Sequence, residues 1–540
     1  MRSSFIHRPV IISRNGLVAS GHYIASLVGI EILRQGGTAF DGAIATSAAL
    51  SVVMPNMTGL GGDAFALLYN AQDGKIEAMN ASGPAPKAAS REFFLERKFT
   101  QIPKEGILGV SVPGLVDCWE KISEKYGTMK LQELLKPAID LARQGFPVYP
   151  KLSQAIKESS SKLLRDESSR EIFFKGGRPL QSGEMLVQRE LAQTFEKIAA
   201  EGTDSFYKGD IARLIGGHSA RLGGLLKEED LADYEAAWRE PISTTYREYR
   251  VFENPPVSQG HILLEELNLV EDFNLAELGH NTADSIHVMV ESKKLAFADR
   301  IQYLGDPDFV DVPLEKLLSK EYARKRRAQI DMSKAAEHVS KNQSEPKGGE
   351  TTYFAIADKH GNTLSFIQSL FHQFGSGVTV KGAGMLLNDR MTGFSLEKDH
   401  PNRLEPGKKT AHTLNTYIIM KGEDLFMLGG TPGADDQVQV NLQVIVNILD
   451  YKMNVQQAIE APRWSSKPGT APAEEKSPYE LWVEERIPID IRDQLTKKGH
   501  NVKVTGGWSF GGSQAIVIDH DNMVLMGGAD PRRDGYAIGC

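Results

Sequence analysis

The chain has 540 residues, of which 41% are hydrophobic and 24% are charged, and its formal net charge is -8. This composition is typical of a globular protein with a large core, and it excludes both a basic nucleic-acid surface and an extreme acidic tail. Two cysteines, Cys118 and Cys540, exclude a disulfide framework and a Cys-rich zinc site.

The first 20 residues contain no apolar run long enough for a signal peptide, and no later stretch is long and apolar enough for a membrane helix. We therefore expect a cytoplasmic protein with no membrane partner. The ordinary charge favours a small molecule over a nucleic acid as its partner.

Apolar residues recur mainly at helical spacing through the first 330 residues. A strand is predicted at 64–69 and another at 244–252, and the rest reads as a helical layer. The predicted helices are 20–34, 41–53, 115–125, 131–144, 152–164, 189–200, 207–222, 262–270, 285–303 and 314–330.

A glycine-rich stretch, Thr58-Gly59-Leu60-Gly61-Gly62-Asp63, lies between a predicted helix and a predicted strand. Glycine-rich loops that cradle a phosphate follow a strand and open a helix, which is the reverse of the order found here. The stretch therefore does not predict nucleotide binding.

The composition changes at residues 331–350, where Lys, Glu, Ser, Gln and Asn dominate, and such a segment cannot bury enough surface to order itself. Two strands follow, at 351–358 and 363–371, and the turn between them predicts a hairpin. If the turn is closed symmetrically, Thr351 faces Ser369. A slip of one residue would place Gln368 there instead.

Thr351 has two interpretations, because threonine is a common strand residue in any protein. Alternatively, the Glu350–Thr351 bond is cut, which frees an α-amino group beside a hydroxyl. One residue then supplies the nucleophile and the base, and an amine with a pKa of about 7.7 to 8.0 suits the second role.

Beyond this hairpin the pattern changes to turns and short strands, and mixed sheets covered by helices fit it best. Helices are predicted at 437–449 and 455–461, a Pro, Ser and Glu-rich surface loop at 465–477, and strands at 502–504, 513–518 and 523–526. The stretch 429–435 precedes a helix, so its N–H groups could face a developing oxyanion.

These motifs together resemble the γ-glutamyltransferase (glutathione hydrolase) family of N-terminal-nucleophile hydrolases over essentially the whole chain. The resemblance rests on the paired glycines at 59–62, the stretch 109–114, Thr351-Thr352, and the motifs at 374–377, 386–388 and 431–433. It implies an α+β fold, a four-layer αββα sandwich. It also implies a precursor that cleaves itself into segments 1–350 and 351–540, which stay together.

Family roles then fall on named residues of this chain. Thr351 stands as nucleophile and base, Ser369 takes the place of a supporting threonine, and the N–H groups of Gly433 and Ala434 look like the oxyanion hole. Ala434 stands where the family usually has glycine, which keeps the donor and adds a methyl group.

The chain departs from the family at the positions that hold a γ-glutamyl group. Ser82 stands where the family has a carboxylate-binding arginine, and Gly393 where it has an acidic residue for the amino group. His412 and Thr413 replace paired serines. Losing a charged partner from a partly buried site costs a few kcal/mol, so glutathione is expected to be a poor substrate.

The best replacement for the lost carboxylate contact is Arg390, since a guanidinium binds a carboxylate bidentately. A structural role for this arginine is equally compatible with the sequence. Asn388, His412 and Thr413 are the further candidate substrate-binding residues. His412 lacks a second ligand at metal spacing, so neither a metal nor an organic cofactor is expected.

We therefore predict a self-processing amide hydrolase for a small carboxylate-bearing substrate, similar to the branch of the family that includes oxamate amidohydrolase and cephalosporin-acylase-like proteins. Two alternatives stay open: a true glutathione hydrolase and transpeptidase, and a non-catalytic binding relative. The sequence leaves a homo-oligomer open as well.

Overall fold

The structure is a computed structural model that describes residues 7–337, 350–470 and 478–540. Its strands, in chain order, are β1 Ile11–Ser13, β2 Gly16–Ser20, β3 Asp63–Asn70, β4 Lys75–Ala81, β5 Phe146–Pro147, β6 Phe174–Lys175, β7 Arg178–Pro179, β8 Met185–Leu186, β9 Ala237–Arg239, β10 Ile242–Tyr246, β11 Tyr249–Glu253, β12 Glu350–Asp358, β13 Thr363–Phe371, β14 Tyr417–Lys421, β15 Asp424–Gly430, β16 Trp464–Lys467, β17 Glu480–Glu484, β18 Val502–Thr505, β19 Gln514–Asp519, β20 Val524–Ala529 and β21 Ala537–Gly539.

The helices are α1 Tyr23–Arg34, α2 Ala39–Val53, α3 Arg91–Glu96, α4 Leu115–Tyr126, α5 Leu131–Gln144, α6 Pro150–Glu158, α7 Ser160–Leu163, α8 Glu167–Phe173, α9 Arg189–Glu201, α10 Asp204–Tyr207, α11 Asp210–Arg221, α12 Glu228–Ala232, α13 Gly260–Val270, α14 Leu275–Leu278, α15 Ala283–Tyr303, α16 Leu314–Leu317, α17 Lys320–Arg327, α18 Asp436–Leu449, α19 Val455–Glu460 and α20 Ile489–Lys497, with 3-10 turns at Ile107–Gly109 and Arg390–Gly393. None of these helices has both the length and the apolar character needed to cross a bilayer.

Two large antiparallel sheets form the centre of the molecule. The first has the strand order β1-β20-β19-β15-β14-β11-β10 and the second the order β21-β2-β12-β13-β3-β4-β9. In the second sheet, the strand that begins beside Thr351 lies between one strand from the start of the chain and its own hairpin partner.

The side chains of β12 explain why the sheets are covered on both faces. Tyr353 and Ala355 belong to the apolar cluster between the two sheets, whereas Phe354 and Ile356 belong to the cluster beneath α1 and α2. Successive strand residues point to opposite faces, so a strand that is apolar throughout requires a layer on each side.

The first sheet is covered in the same way, by a cluster that joins Val251 and Ile419 to the apolar faces of α13, α15 and α18. The layers are therefore helix, sheet, sheet, helix. The predicted αββα sandwich is confirmed by this arrangement and by the solved structures described below.

Most predicted helices are found within a few residues of their predicted bounds, and the helix at 131–144 has the predicted bounds. The single strand predicted at 244–252 is wrong: β10 and β11 form a hairpin there, with Arg247 at φ +56 in its turn. The predicted helices 152–164 and 314–330 are each two helices separated by a non-helical break. The helix predicted at 207–222 is α11, which begins at Asp210, just after α10 ends at Tyr207.

The surface loop predicted at 465–477 is wrong in its first part. Ser465 and Ser466 are buried in β16, which pairs with β17, and residues 471–477 lie outside the described residues. Of the predicted flexible segment 331–350, residues 338–349 also lie outside the described part of the chain.

Candidate active site

The hairpin of β12 and β13 brings the predicted hydroxyl pair together. Its register runs regularly from Ala357 opposite Thr363 to Thr352 opposite Gln368, and then shifts by one residue so that Glu350 faces Phe371. The predicted register is therefore correct up to Thr352. The shift is a bulge at Thr351, whose Oγ1 lies 3.2 Å from Oγ of Ser369.

Three hydrogen bonds fix the Ser369 hydroxyl. It accepts from the hydroxyl of Thr351 and from the N–H of Phe371 at 2.7 Å, and it donates to the carbonyl oxygen of Glu350 at 2.7 Å. Phe371, whose N–H makes the second of these bonds, has a positive φ of +84. The hydroxyl thus polarises the carbonyl group of the peptide bond that precedes Thr351.

A buried charged cluster lies beneath this pair. Asp63 is the cross-strand neighbour of Ser369, and its Oδ2 accepts hydrogen bonds from Arg390 Nε at 3.0 Å and His412 Nε2 at 3.2 Å. All three of these side chains are almost completely buried. Buried charges are stable when they are paired and hydrogen-bonded, which this arrangement achieves.

Arg390 is the predicted carboxylate contact, and most of its guanidinium is used inside the protein. Besides its bond to Asp63, the group lies 4.2 Å over the ring of Phe371, while Nη2 is buried and has no hydrogen-bond partner among the described residues. Burial lowers the pKa of Arg390, although Asp63 opposes this effect. A contact between this arginine and a substrate stays a prediction.

His412 is a neutral hydrogen-bonding residue in this environment. Its Nδ1 accepts from the N–H of Leu414 at 3.3 Å, so Nε2 carries the proton that is donated to Asp63. Burial lowers the pKa of His412 to about 4. Beside it, the hydroxyl oxygen of Thr413 is buried and has no hydrogen-bond partner among the described residues. Substrate binding by His412 and Thr413 stays a prediction.

Asn388, which was predicted to contact the substrate, has a structural role in the protein. Its Oδ1 accepts from the N–H groups of Ser111 and Arg390, both at 3.0 Å, and its Nδ2 donates to the carbonyl oxygens of Gly61 and Ser111. These bonds connect the glycine-rich stretch with the segment that carries Arg390. Substrate binding by Asn388 stays a prediction.

The loop between β15 and α18 carries Gly433 and Ala434, the two residues predicted to form the oxyanion hole, and that role stays a prediction. Gly433 has φ +130 and Ala434 has φ +49, and neither N–H has a hydrogen-bond acceptor among the described residues. Gln259 fixes the loop, since its Nε2 donates to the carbonyl oxygens of Ala434 at 3.1 Å and of Thr413. At the end of β15, Gly430 packs directly on the ring of Tyr353.

The two positions at which the sequence departs from the family pattern, Ser82 and Gly393, have uncharged residues in the structure. Ser82 is buried and its hydroxyl donates to Asn80 at 2.6 Å, and Gly393 contributes backbone alone next to Thr410. Neither position can supply the charge that a zwitterionic glutamyl group requires.

Three further side chains near Thr351, those of His372, Asp389 and Arg533, were given no role from the sequence. His372 and Asp389 form a pair at 2.6 Å, and the N–H of His372 donates to the same carboxylate. Burial raises the pKa of Asp389 and His372 lowers it, and the net shift is downward. Arg533 lies 3.4 Å from the carboxylate of Glu350. No local pattern marks this arginine, which is 183 residues from its partner.

A buried trio of His287, Glu291 and His500 is the one group in the described chain whose ligand atoms could meet at a metal ion, all within 4.8 Å. Each ligand already has protein partners: His287 Nδ1 lies 2.8 Å from His500 Nε2, and Glu291 accepts from Lys294. We assign no metal to it.

The chain is similar to known proteins over nearly its whole length. The sequence model described as "Gamma-glutamyltranspeptidase" matches residues 25–540. The glutathione hydrolase-like YwrD proenzyme of Bacillus subtilis is 39% identical over 98% of this chain and 99% of its own. The acylase ACY 1 proenzyme of a Pseudomonas species is 35% identical over 97% of this chain and 93% of its own.

The solved structures include the cephalosporin acylase of Bacillus halodurans, which is 36% identical and superposes with a TM-score of 0.92. The superposition covers 100% of this chain and 98% of that one.

Proposed function

The chain belongs to the gamma-glutamyltranspeptidase family of amide-cleaving hydrolases that are made as precursors, and from that premise we propose that Thr351 is its nucleophile and a small carboxylate-bearing amide its substrate. The observation that carries the proposal is the contact of Thr351 Oγ1 with Ser369, whose hydroxyl donates to the carbonyl oxygen of Glu350.

Self-cleavage begins when Thr351 Oγ1 attacks the carbonyl carbon of Glu350. The hydrogen bond from Ser369 favours the charge that develops on the carbonyl oxygen. The C–N bond then breaks, the hydroxyl proton ends on the departing nitrogen, and an ester joins Glu350 to the threonine oxygen. Water hydrolyses this ester, which leaves a carboxylate on Glu350 and a free amine and hydroxyl on Thr351.

Substrate cleavage repeats the same chemistry between molecules. The α-amine of Thr351 takes the proton of its own hydroxyl, and the oxygen attacks the substrate carbonyl. The free N–H groups of Gly433 and Ala434 stabilise the oxyanion. The amine product leaves with the proton, and water hydrolyses the acyl ester on Thr351.

Thr351→Ala tests this proposal, because alanine keeps the fold and lacks the oxygen. We expect the variant to stay uncut and inactive, whereas Thr351→Ser is cut more slowly at the same bond. Intact mass and N-terminal sequencing of the small fragment are the measurements. A Thr351→Ala protein that still yields a fragment beginning at residue 351 would refute the proposal.

Glutathione is the alternative substrate, and the names of several relatives favour it. Ser82 and Gly393 provide no charge for the two ends of a glutamyl group. We expect a γ-glutamyl anilide to be hydrolysed at least tenfold less efficiently than an anilide whose acyl chain ends in a carboxylate alone. The reverse order of kcat/KM would favour the glutathione hydrolase.

A further inference from the structure

Arg533 and Glu350 form an ion pair directly beside the bond that is cut. Arg533 Nη2 lies 3.4 Å from Glu350 Oε2, and the two side chains are 23% and 22% exposed. The pair is therefore reachable from solvent and still shielded enough for its charges to matter. The arginine also contacts Gly512, which in turn borders Pro432 of the oxyanion loop.

The mechanism of self-cleavage relates this ion pair to substrate binding. During maturation Glu350 is the acyl group carried on Thr351 Oγ1, and a substrate acyl group is later carried on the same oxygen. The Glu350 side chain thus marks one direction in which an acyl chain can extend from the reacting carbon. Along that direction the structure provides a guanidinium that already binds a carboxylate.

Hydrolysis then separates Glu350 from Thr351 and removes the tether that holds its carboxylate at Arg533. In the described part of the chain, Glu350 is the sole ion-pair partner of this arginine, and the Nε of Arg533 is buried without a hydrogen bond. The buried hydroxyl of Tyr149 also has no hydrogen-bond partner among the described residues, and it is close enough to Arg533 and Glu350 to interact with their charges. Two unused donors therefore remain.

We propose that Arg533 binds the carboxylate at the end of the substrate's acyl chain in the mature enzyme, and that Glu350 occupies this position in the precursor. The inference rests on the proposed function, and it assigns to Arg533 the contact for which the sequence favoured Arg390. Three carbons separate the two carboxyl carbons of Glu350, so an acyl chain of that length matches best.

The probes are two p-nitroanilides of equal chain length, one of glutaric acid with a free carboxylate and one of butyric acid without it. Arg533→Gln is expected to raise KM for the glutaric anilide about 10- to 100-fold, as for the loss of a charge pair that is largely shielded from solvent. Its kcat and its rate on the butyric anilide should change less than about twofold. Succinic and adipic anilides should be poorer substrates of the wild type.

Arg327→Gln is the matched control, because this arginine at the end of α17 is also partly buried and, among the described residues, forms an ion pair with one carboxylate, that of Asp272. It should leave both anilides unaffected. Arg533→Lys keeps the charge and should retain part of the preference for the glutaric anilide. If Arg533→Gln stays uncut, the ratio of kcat/KM for the two anilides in Arg533→Lys decides the question, and an unchanged ratio overturns the inference.

The outcomes also separate this inference from the proposed function. A mature Arg533→Gln enzyme with unchanged KM for the glutaric anilide overturns the role of Arg533 and leaves Thr351 as the nucleophile. Hydrolysis of both anilides by Thr351→Ala would instead refute the proposed function.

Discussion

At the scale of single residues, the site depends on hydrogen bonds that have definite directions. Ser369 accepts a hydrogen bond from the hydroxyl of Thr351 and donates one to the carbonyl oxygen of Glu350. The resemblance to the family identified this serine as the counterpart of a threonine. Both residues have one hydroxyl, so the chemistry is preserved while a methyl group is lost.

Ser369→Ala tests this role. The variant lacks the donor to the carbonyl oxygen of Glu350, and self-cleavage should slow about 10²-fold, as for the loss of one oxyanion donor. The measurement is the rate at which freshly made precursor is converted, followed by intact mass. Ser369→Thr is the control and should restore most of the rate. A Ser369→Ala precursor cut at the wild-type rate would contradict the assignment.

At the scale of elements, the glycine-rich stretch before β3 has a packing role rather than a phosphate-binding one. A Cβ on Gly62 would lie 2.4 Å from the carbonyl oxygen of Ser369, so the backbone of β13 fits there only against glycine. The neighbouring Gly59 has no such restriction, since its Cβ would be 3.8 Å from Leu370. The stretch therefore positions the strand that carries Ser369.

Gly62→Ala should displace β13 and disturb the contact between Ser369 and Thr351. We expect it to lower the free energy of unfolding by about 1–3 kcal/mol, as overpacking does, and to slow self-cleavage. Gly59→Ala is the matched control, with little effect on either. Urea unfolding and the extent of cleavage measure both effects, and equal behaviour of the two variants would exclude the packing role.

At the scale of the whole molecule, strands from both sides of the proposed cleavage site share each large sheet. In the second sheet β12 lies between β2 and β13, and β3 pairs on the far side of β13. In the first sheet β10 and β11 continue from β14. Separation of the two segments would expose the edges of both sheets and the apolar cluster between them.

We therefore expect the mature segments 1–350 and 351–540 to stay associated without a covalent bond. Gel filtration of cut protein in native buffer should give a single peak that contains both segments, and denaturing electrophoresis should separate them. Dissociation in native buffer, with either segment remaining folded alone, would contradict this expectation.

Acid stability depends on a buried cluster near the end of the chain. Asp530 is fully buried and forms ion pairs with Arg463 at 2.8 Å and Arg532 at 3.1 Å. Burial acts to raise the pKa of Asp530, and the two arginines more than offset this and lower it to about 2. The folded state therefore binds the proton more weakly than the unfolded state, whose aspartate has a pKa of about 3.9.

The stability that Asp530 contributes is fully present above about pH 4 and is lost as the pH falls toward 2. Asp530→Asn should cost about 3–5 kcal/mol near neutral pH, because it leaves two buried arginines without this partner. The difference in free energy of unfolding between wild type and variant should narrow from pH 4 to pH 2. A difference that stays constant over this range would exclude the ion pairs as its cause.

Elements that depend on local sequence pattern could be predicted from the sequence alone. Apolar spacing located most helices, and the turn after Asp358 with its flanking strands gave the register that brings Thr351 to Ser369. The resemblance carried by the motifs supplied the αββα sandwich, which the structure confirms. These features depend on neighbouring residues or on short motifs, and both are visible in one chain.

Contacts between side chains that are far apart in sequence could not be predicted, because they depend on the tertiary structure. Asp63 lies 327 residues from Arg390 and 349 from His412, yet its carboxylate binds both, so the arginine predicted for the substrate is largely used within the protein. Arg533 reaches Glu350 in the same way. Such contacts are set by the stacking of whole sheets and by the pairing of buried charges, and no local periodicity encodes either of them.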